Sequence, residues 1–164
     1  MLRISGGELS TSQLKGVLDT LPNHIALLDP VGELLLVNEA WLKFAADNGM
    51  PRRQAAVGNY LDVCRRSAIQ GDPIAAKTVS GIEQVMKGRK ASFELDYPCD
   101  SLTEKRWFRL HVMPVNLWGD RCALISHSDI TPREAMAPRK PTVKKKKTTK
   151  SAVRSVTPRA RSAD

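Results

Sequence analysis

Three histidines, three cysteines and one lysine-rich run are the residues of this 164-residue chain whose types suit chemistry. Cys64, Cys99 and Cys122 are widely spaced with no Cys-x-x-Cys pair, and His24, His111 and His127 lie apart from them. A structural zinc or an iron–sulfur cluster takes four ligands at workable spacing, which this set does not supply. Three scattered cysteines make no disulfide framework either, so reduced thiols in a cytoplasmic protein are expected. Cys99, beside Pro98 and near Lys105 and Arg106, is the candidate for an exposed redox-active thiol; the alternative is a small semi-buried side chain. Catalysis finds no support. The chain has no nucleophile elbow, no paired carboxylates in a recognisable motif and no phosphate-binding glycine loop, so it is read as non-enzymatic.

Charge divides the chain. Residues 1–136 carry 16 basic and 16 acidic residues, whereas residues 137–164 carry ten basic residues and one acid, Asp164, the whole net charge of +9. The basic segment is rich in Lys, Arg, Ser, Thr, Pro and Ala and is expected to be disordered, because it cannot bury enough apolar surface to offset ordering. Lys144, Lys145, Lys146, Lys147 and Lys150 lead a polycation that suits nucleic-acid phosphates without sequence preference. Anionic lipid, an acidic protein partner and plain solvation are the competing readings. No aromatic residue interleaves the tail, so any nucleic-acid contact is to the backbone. No apolar run is long enough to span a membrane, and the N-terminus lacks a signal-peptide pattern.

Periodicity supplies the elements between. Ser10 to Leu21 reads as an amphipathic helix with a Ser10–Gln13 capping box and Leu14, Val17, Leu18 and Leu21 on one face, a face that needs a partner, either the domain's own sheet or a second copy of itself. Asn23–Asp29 and Glu33–Val37 read as a hairpin, and Asn38 starts a helix that ends near Asn48-Gly49. Residues 58–71 form a short helix. Asp72 caps and Pro73 opens a longer one, with Ala75, Val79, Ile82 and Met86 on one face and Lys87-Gly88 at its end. Strands follow around Phe93–Tyr97, Phe108–Val112 and Arg121–Ser128, the last two joined through Asn116–Asp120. Asp129, Ile130, Thr131, Arg133 and Glu134 then form a junction in which Thr131 caps a short helix, Pro132 opens it and Arg133 pairs with Asp129; Pro138 and Pro141 stop it. The order implies an α+β fold: a five-stranded antiparallel sheet with helices on one face. Residues 1–21 are an N-terminal helical cap, 22–136 the domain and 137–164 the tail.

Three motifs in this order resemble the PAS domain, a sensory module of bacterial signalling proteins. They are the turn Leu28-Asp29-Pro30-Val31-Gly32-Glu33, the helix start Val37-Asn38-Glu39-Ala40-Trp41, and Asp129-Ile130-Thr131 with Arg133. Tyr97-Pro98-Cys99, Arg106-Trp107-Phe108 and His127 are similar to a branch found in bacterial sensor kinases and related regulators. The resemblance covers about Leu21 to Glu134.

It also implies tests for cofactors. Heme-binding members supply an axial histidine from the long helix before the last three strands, and Pro73–Lys87 contains none. Flavin-binding members place a cysteine directly after an asparagine, whereas Val63 precedes Cys64. Neither heme nor flavin is expected. A ligand, if bound, belongs between the sheet and the helices, among Leu27, Leu36, Trp41, Phe44, Tyr60, Ile82, Phe93, Leu95, Phe108, Leu110 and Leu124; simple core filling would show the same residues. Arg65, Arg66 and Arg109 can meet an acidic ligand or stand solvated.

The functional expectation is a stand-alone cytoplasmic sensory domain that detects a small ligand or a protein partner. It signals by association, as a homodimer through the N-terminal helix and in contact with a protein partner of a signalling pathway. The rival is a nucleic-acid-associated regulator with the tail as its binding part and the PAS domain as its dimerising head.

Overall fold

The structure is a computed structural model, and it describes residues 10–100 and 104–132. The element order is α1 (Thr11–Leu18), β1 (His24–Leu28), β2 (Leu34–Val37), α2 (Glu39–Asp47), α3 (Arg52–Ala55), α4 (Tyr60–Ile69), α5 (Pro73–Met86), β3 (Phe93–Pro98), β4 (Trp107–Leu117) and β5 (Asp120–Asp129). Every strand pair is antiparallel, and the sheet order β2-β1-β5-β4-β3 puts β1 and β5 side by side at its centre. This is the expected five-stranded α+β architecture.

Local chemistry sets the helix starts. Ser10 and Gln13 form the reciprocal capping box, Asn38 and Asn59 cap α2 and α4, and the Asp72 carboxylate accepts from the Ile74 and Ala75 amides ahead of Pro73. In the β1–β2 turn Asp29 Oδ1 accepts from the Val31 and Glu33 amides at 2.9 and 2.8 Å. Gly32 there has a φ of +96°, and a Cβ on it would meet the Leu61 side chain at 2.8 Å, so both conformation and space demand glycine.

The sheet is packed on both faces. Ala26, Leu28, Leu110, Val112, Ala123 and Ile125 meet Leu61 of α4 and Ile82 and Val85 of α5. On the opposite face Ile25, Leu27, Leu36 and Cys122 are covered by Leu14 and Leu18 of α1. Of the two partners open to the α1 face, the chain's own sheet takes Leu14 and Leu18, which are corrected as dimer residues. Leu14 and Leu18 belong to the chain's own core, while Val17, at 58% exposure, and Leu21 stay outside.

Three boundaries differ from expectation. The β4–β5 turn is only Trp118-Gly119, both with positive φ (51° and 88°), so Asn116, Leu117 and Asp120 join the strands. Helix α1 stops at Leu18 rather than Leu21, and the one-turn α3 was not anticipated. The Thr131 hydroxyl oxygen accepts from the Trp107 amide at 3.0 Å while its own amide donates to Asp129, which ties the end of β5 to the start of β4; the helix that Thr131 is expected to cap lies outside the described residues. Arg133, Glu134, the Asp129–Arg133 pair and the basic tail lie outside the described residues.

Candidate functional site: a cavity beside a histidine held by two tyrosines

Strand alternation brings His24 of β1, Phe108 of β4, His127 of β5 and Tyr97 of β3 onto the helix-covered face. His24 and His127 are direct cross-strand neighbours. Trp41 and Phe44, three apart on α2, and Tyr60 and Val63 on α4 close the other side. Together with Met50, Val57 and the α3 segment they enclose a cavity of about 630 Å³. A second cavity of about 300 Å³, which Cys64, Asp72 and Thr78 help line, lies against the same Tyr60, Tyr97 and His127.

His127 is the centre of this wall. The Tyr97 hydroxyl lies 2.6 Å from Nδ1 and the Tyr60 hydroxyl 3.3 Å from Nε2. Burial pushes the imidazole down to about 4, helped by the neighbouring His24, so it is neutral near pH 7. A neutral imidazole accepts at one nitrogen and donates at the other, so one tyrosine donates to it and the other accepts. Burial raises both phenols, Tyr60 well above the ordinary range, with the nearby Cys64 thiol acting in the same direction on each. The Cys64 thiol is itself raised by burial, against the pull of the Tyr60 hydroxyl, and is not a nucleophile near neutral pH.

Beside this cluster the wall carries further aromatic rings among aliphatic and polar residues. His24 stacks on Phe44 with centroids 4.4 Å apart and faces Phe108 at 5.6 Å. Trp41 lies 5.7 Å from His127, and its Nε1 donates to the Ala55 carbonyl at 3.0 Å. Burial, with Arg106 adding to it and Asp129 opposing it, lowers His24. Arg106 sits over Phe44 and donates through Nε to the Cys99 carbonyl, and Cys99 is half-buried.

Of the residues expected to line a pocket, Trp41, Phe44, Tyr60 and Phe108 do so, and Leu110 reaches the smaller cavity. Ile82, Phe93 and Leu95 fill the core between α5 and the sheet. Leu27, Leu36 and Leu124 are corrected: they face α1 on the opposite side, because β1 is apolar on both faces. Arg66 lines the cavity rim, whereas Arg65 is paired with Asp62 and Glu83, and Arg109 with Asp96 across β3 and β4. His24 was missed as a wall residue. Tyr97 and His127 carried a motif signal but no assigned role. Among the described residues no three His, Cys, Asp or Glu side chains cluster as a metal site requires, and no helix is long and apolar enough to cross a membrane.

No family model matches the chain. An uncharacterised 104.1 kDa protein in the hypE 3′ region of Rhodobacter capsulatus is 42% identical over 123 residues, which is 72% of this chain. The chain spans only 13% of that protein's length. Among solved structures, the PAS domain of Bordetella pertussis BvgS is similar with a TM-score of 0.56 at 16% identity, over 76% of this chain and 89% of that one. A C-terminal domain from Streptococcus mutans gives 0.52 at 19% identity, over 83% and 96%. The fold expected from the motifs is the fold of this chain: a PAS architecture.

Proposed function

We propose that this PAS-fold chain is a non-catalytic sensory module that takes a small molecule into the cavity walled by Trp41, Phe44, Tyr60, Phe108 and the two histidines. One observation carries the reading: a cavity of about 630 Å³ lies against the hydrogen-bonded Tyr60–His127–Tyr97 cluster, with Trp41, Phe44 and Phe108 and the aliphatic Leu34, Met50, Val57 and Val63 in its wall. That volume and mixture suit a ligand site. The reading needs no cofactor. Both ring nitrogens of His127 are engaged by tyrosines, and Cys64 is a half-buried thiol beside Tyr60.

Asn38 supplies a route outward. Its Oδ1 accepts from the Trp41 amide at 3.0 Å, and its Nδ2 donates to the carbonyls of Leu18, Leu21 and Asn23 at 2.9–3.2 Å. One buried amide thus joins the first turn of a cavity helix to the end of α1. The output is read as association: a homodimer through the exposed Val17 on α1 and Leu21 after it, with Leu35 on β2, and contact with a protein partner in a signalling pathway.

A thermal-shift screen of small molecules tests the ligand claim, with Val63→Trp as a plug at an exposed position on the cavity wall. At least one compound should raise the melting temperature of the native chain and leave the plugged variant unmoved. A screen without hits, or hits indifferent to the plug, would remove the reading.

Segregation of the whole net charge into residues 137–164 favours a second reading, non-specific nucleic-acid contact by the tail. Salt-titrated binding should be strong for the full chain and lost when it ends at Ala137; equal binding by both would discard it.

A further inference from the structure

The polar groups of the cavity wall fall into two sets. The inner set is already paired. Tyr60 and Tyr97 bond to His127, Trp41 Nε1 to Ala55, and the Asp62 carboxylate is held by Arg65 at 2.9 Å. The second set is uncommitted: the His24 imidazole, the Gln54 amide and the Arg66 guanidinium line the cavity, and none of the three makes a side-chain hydrogen bond or ion pair within the described residues. With Asp62 neutralised by Arg65, Arg66 leaves the rim with an unopposed positive charge.

A ligand gains nothing by competing for the paired set, since each new contact there breaks an existing bond. It gains by serving the uncommitted set. The side chains beside those groups are flat: His24 stacks on Phe44 and faces Phe108, and Trp41 stands against His127. Aromatic walls favour planar bodies in offset or edge contact. An exposed guanidinium favours a carboxylate it can meet with two parallel N–H groups. A neutral imidazole adds one donor and one acceptor at half depth.

Resting on the sensory reading above, we propose that the cavity recognises an aromatic carboxylate, its ring held among Trp41, Phe44 and Phe108 and its carboxylate at Arg66. Asp62 does not oppose the anion, because Arg65 holds it. His24, beside Phe44 and Phe108, offers the ring end a hydrogen bond.

Isothermal titration of the full chain with 1-naphthoate and its neutral analogue 1-naphthalenemethanol tests the class. The acid should bind about fivefold more tightly than the alcohol, the size of effect an exposed ion pair gives. Arg66→Gln should erase that preference and leave alcohol binding unchanged, and added salt should weaken only the acid. Val63→Trp should abolish both. If acid and alcohol bind equally and the plug still removes both, the carboxylate assignment is overturned while the cavity reading stands. Binding of both probes that ignores the plug overturns both. Binding of neither overturns the assignment, and the thermal-shift screen alone then decides the cavity reading.

Discussion

His127 should make this domain lose stability at mild acidity, before most carboxylates protonate. A free imidazole titrates near 6.5, and burial holds this one at about 4. Between those values the unfolded chain takes up a proton that the folded chain refuses, so stability falls as pH falls. The neutral-pH stability is intact above 6.5 and declines by about 1.4 kcal/mol per pH unit below it, levelling off near 4. The full descent costs roughly 3 kcal/mol, a large share of a typical domain's stability of about 5–15 kcal/mol. Urea unfolding of the full chain at a series of pH values from about 7.5 to about 4 measures it, with His127→Gln as the reference. A glutamine amide accepts at one end and donates at the other, so it can serve both tyrosines without titrating. His24 and the paired carboxylates titrate in both chains and drop out of the difference. Native and His127→Gln curves that run parallel over the whole range would refute the claim that burial keeps this imidazole neutral.

Other substitutions probe the framework around the site. Asn38→Ala strands the Ile25 and Trp41 amides and removes the donor to three carbonyls, so urea unfolding should show a loss of roughly 3 kcal/mol; a loss below about 1 kcal/mol would count against its role as a joint. Gly81→Ala drives a methyl into the Phe93 ring; overpacking of roughly 1–3 kcal/mol should outweigh the gain of about 1 kcal/mol in helix propensity, and a more stable variant would refute the close approach. Sedimentation of the full chain should show a dimer that Val17→Asp with Leu21→Asp dissociates without lowering the melting temperature. Leu18→Asp should unfold the chain instead, because that side chain is 7% exposed.

Features written in a few adjacent residues were legible from sequence. Ser10 with Gln13, Asn38 ahead of its helix, and Asp72-Pro73 start helices where they should, since a cap is a contact three residues long. The alternation of Phe93, Leu95 and Tyr97 marked β3 for the same reason. β1 gave no such alternation: Ile25 to Leu28 are all buried, two facing α1 and two facing α5, so nothing in the pattern tells Leu27 from Leu28. Leu27, Leu36 and Leu124 were placed in the cavity on that ambiguity. Trp118 takes a left-handed conformation that tryptophan seldom adopts, so the tight hairpin looked like a longer loop. Thr131 reads as a local cap, and its bond to the Trp107 amide, 24 positions away, leaves no local signal.

The cavity was half legible, and the missing half follows from the same limit. Trp41, Phe44, Tyr60 and Phe108 are large apolar residues at regular spacing, visible one element at a time. The pairing that gives the wall its polarity joins His127 to Tyr97 and Tyr60 over 30 and 67 positions, through a sheet order that returns β5 to the side of β1. On its own strand His127 sits between Ser126 and Ser128 in a polar stretch, indistinguishable from a solvated histidine. Only closure of the sheet buries it and commits both its nitrogens. The same closure sets His24 beside it, its imidazole without a hydrogen bond among the described residues. Two histidines on neighbouring strands thus acquire opposite uses from their surroundings: one fixes the wall, and the other remains available to whatever the wall encloses.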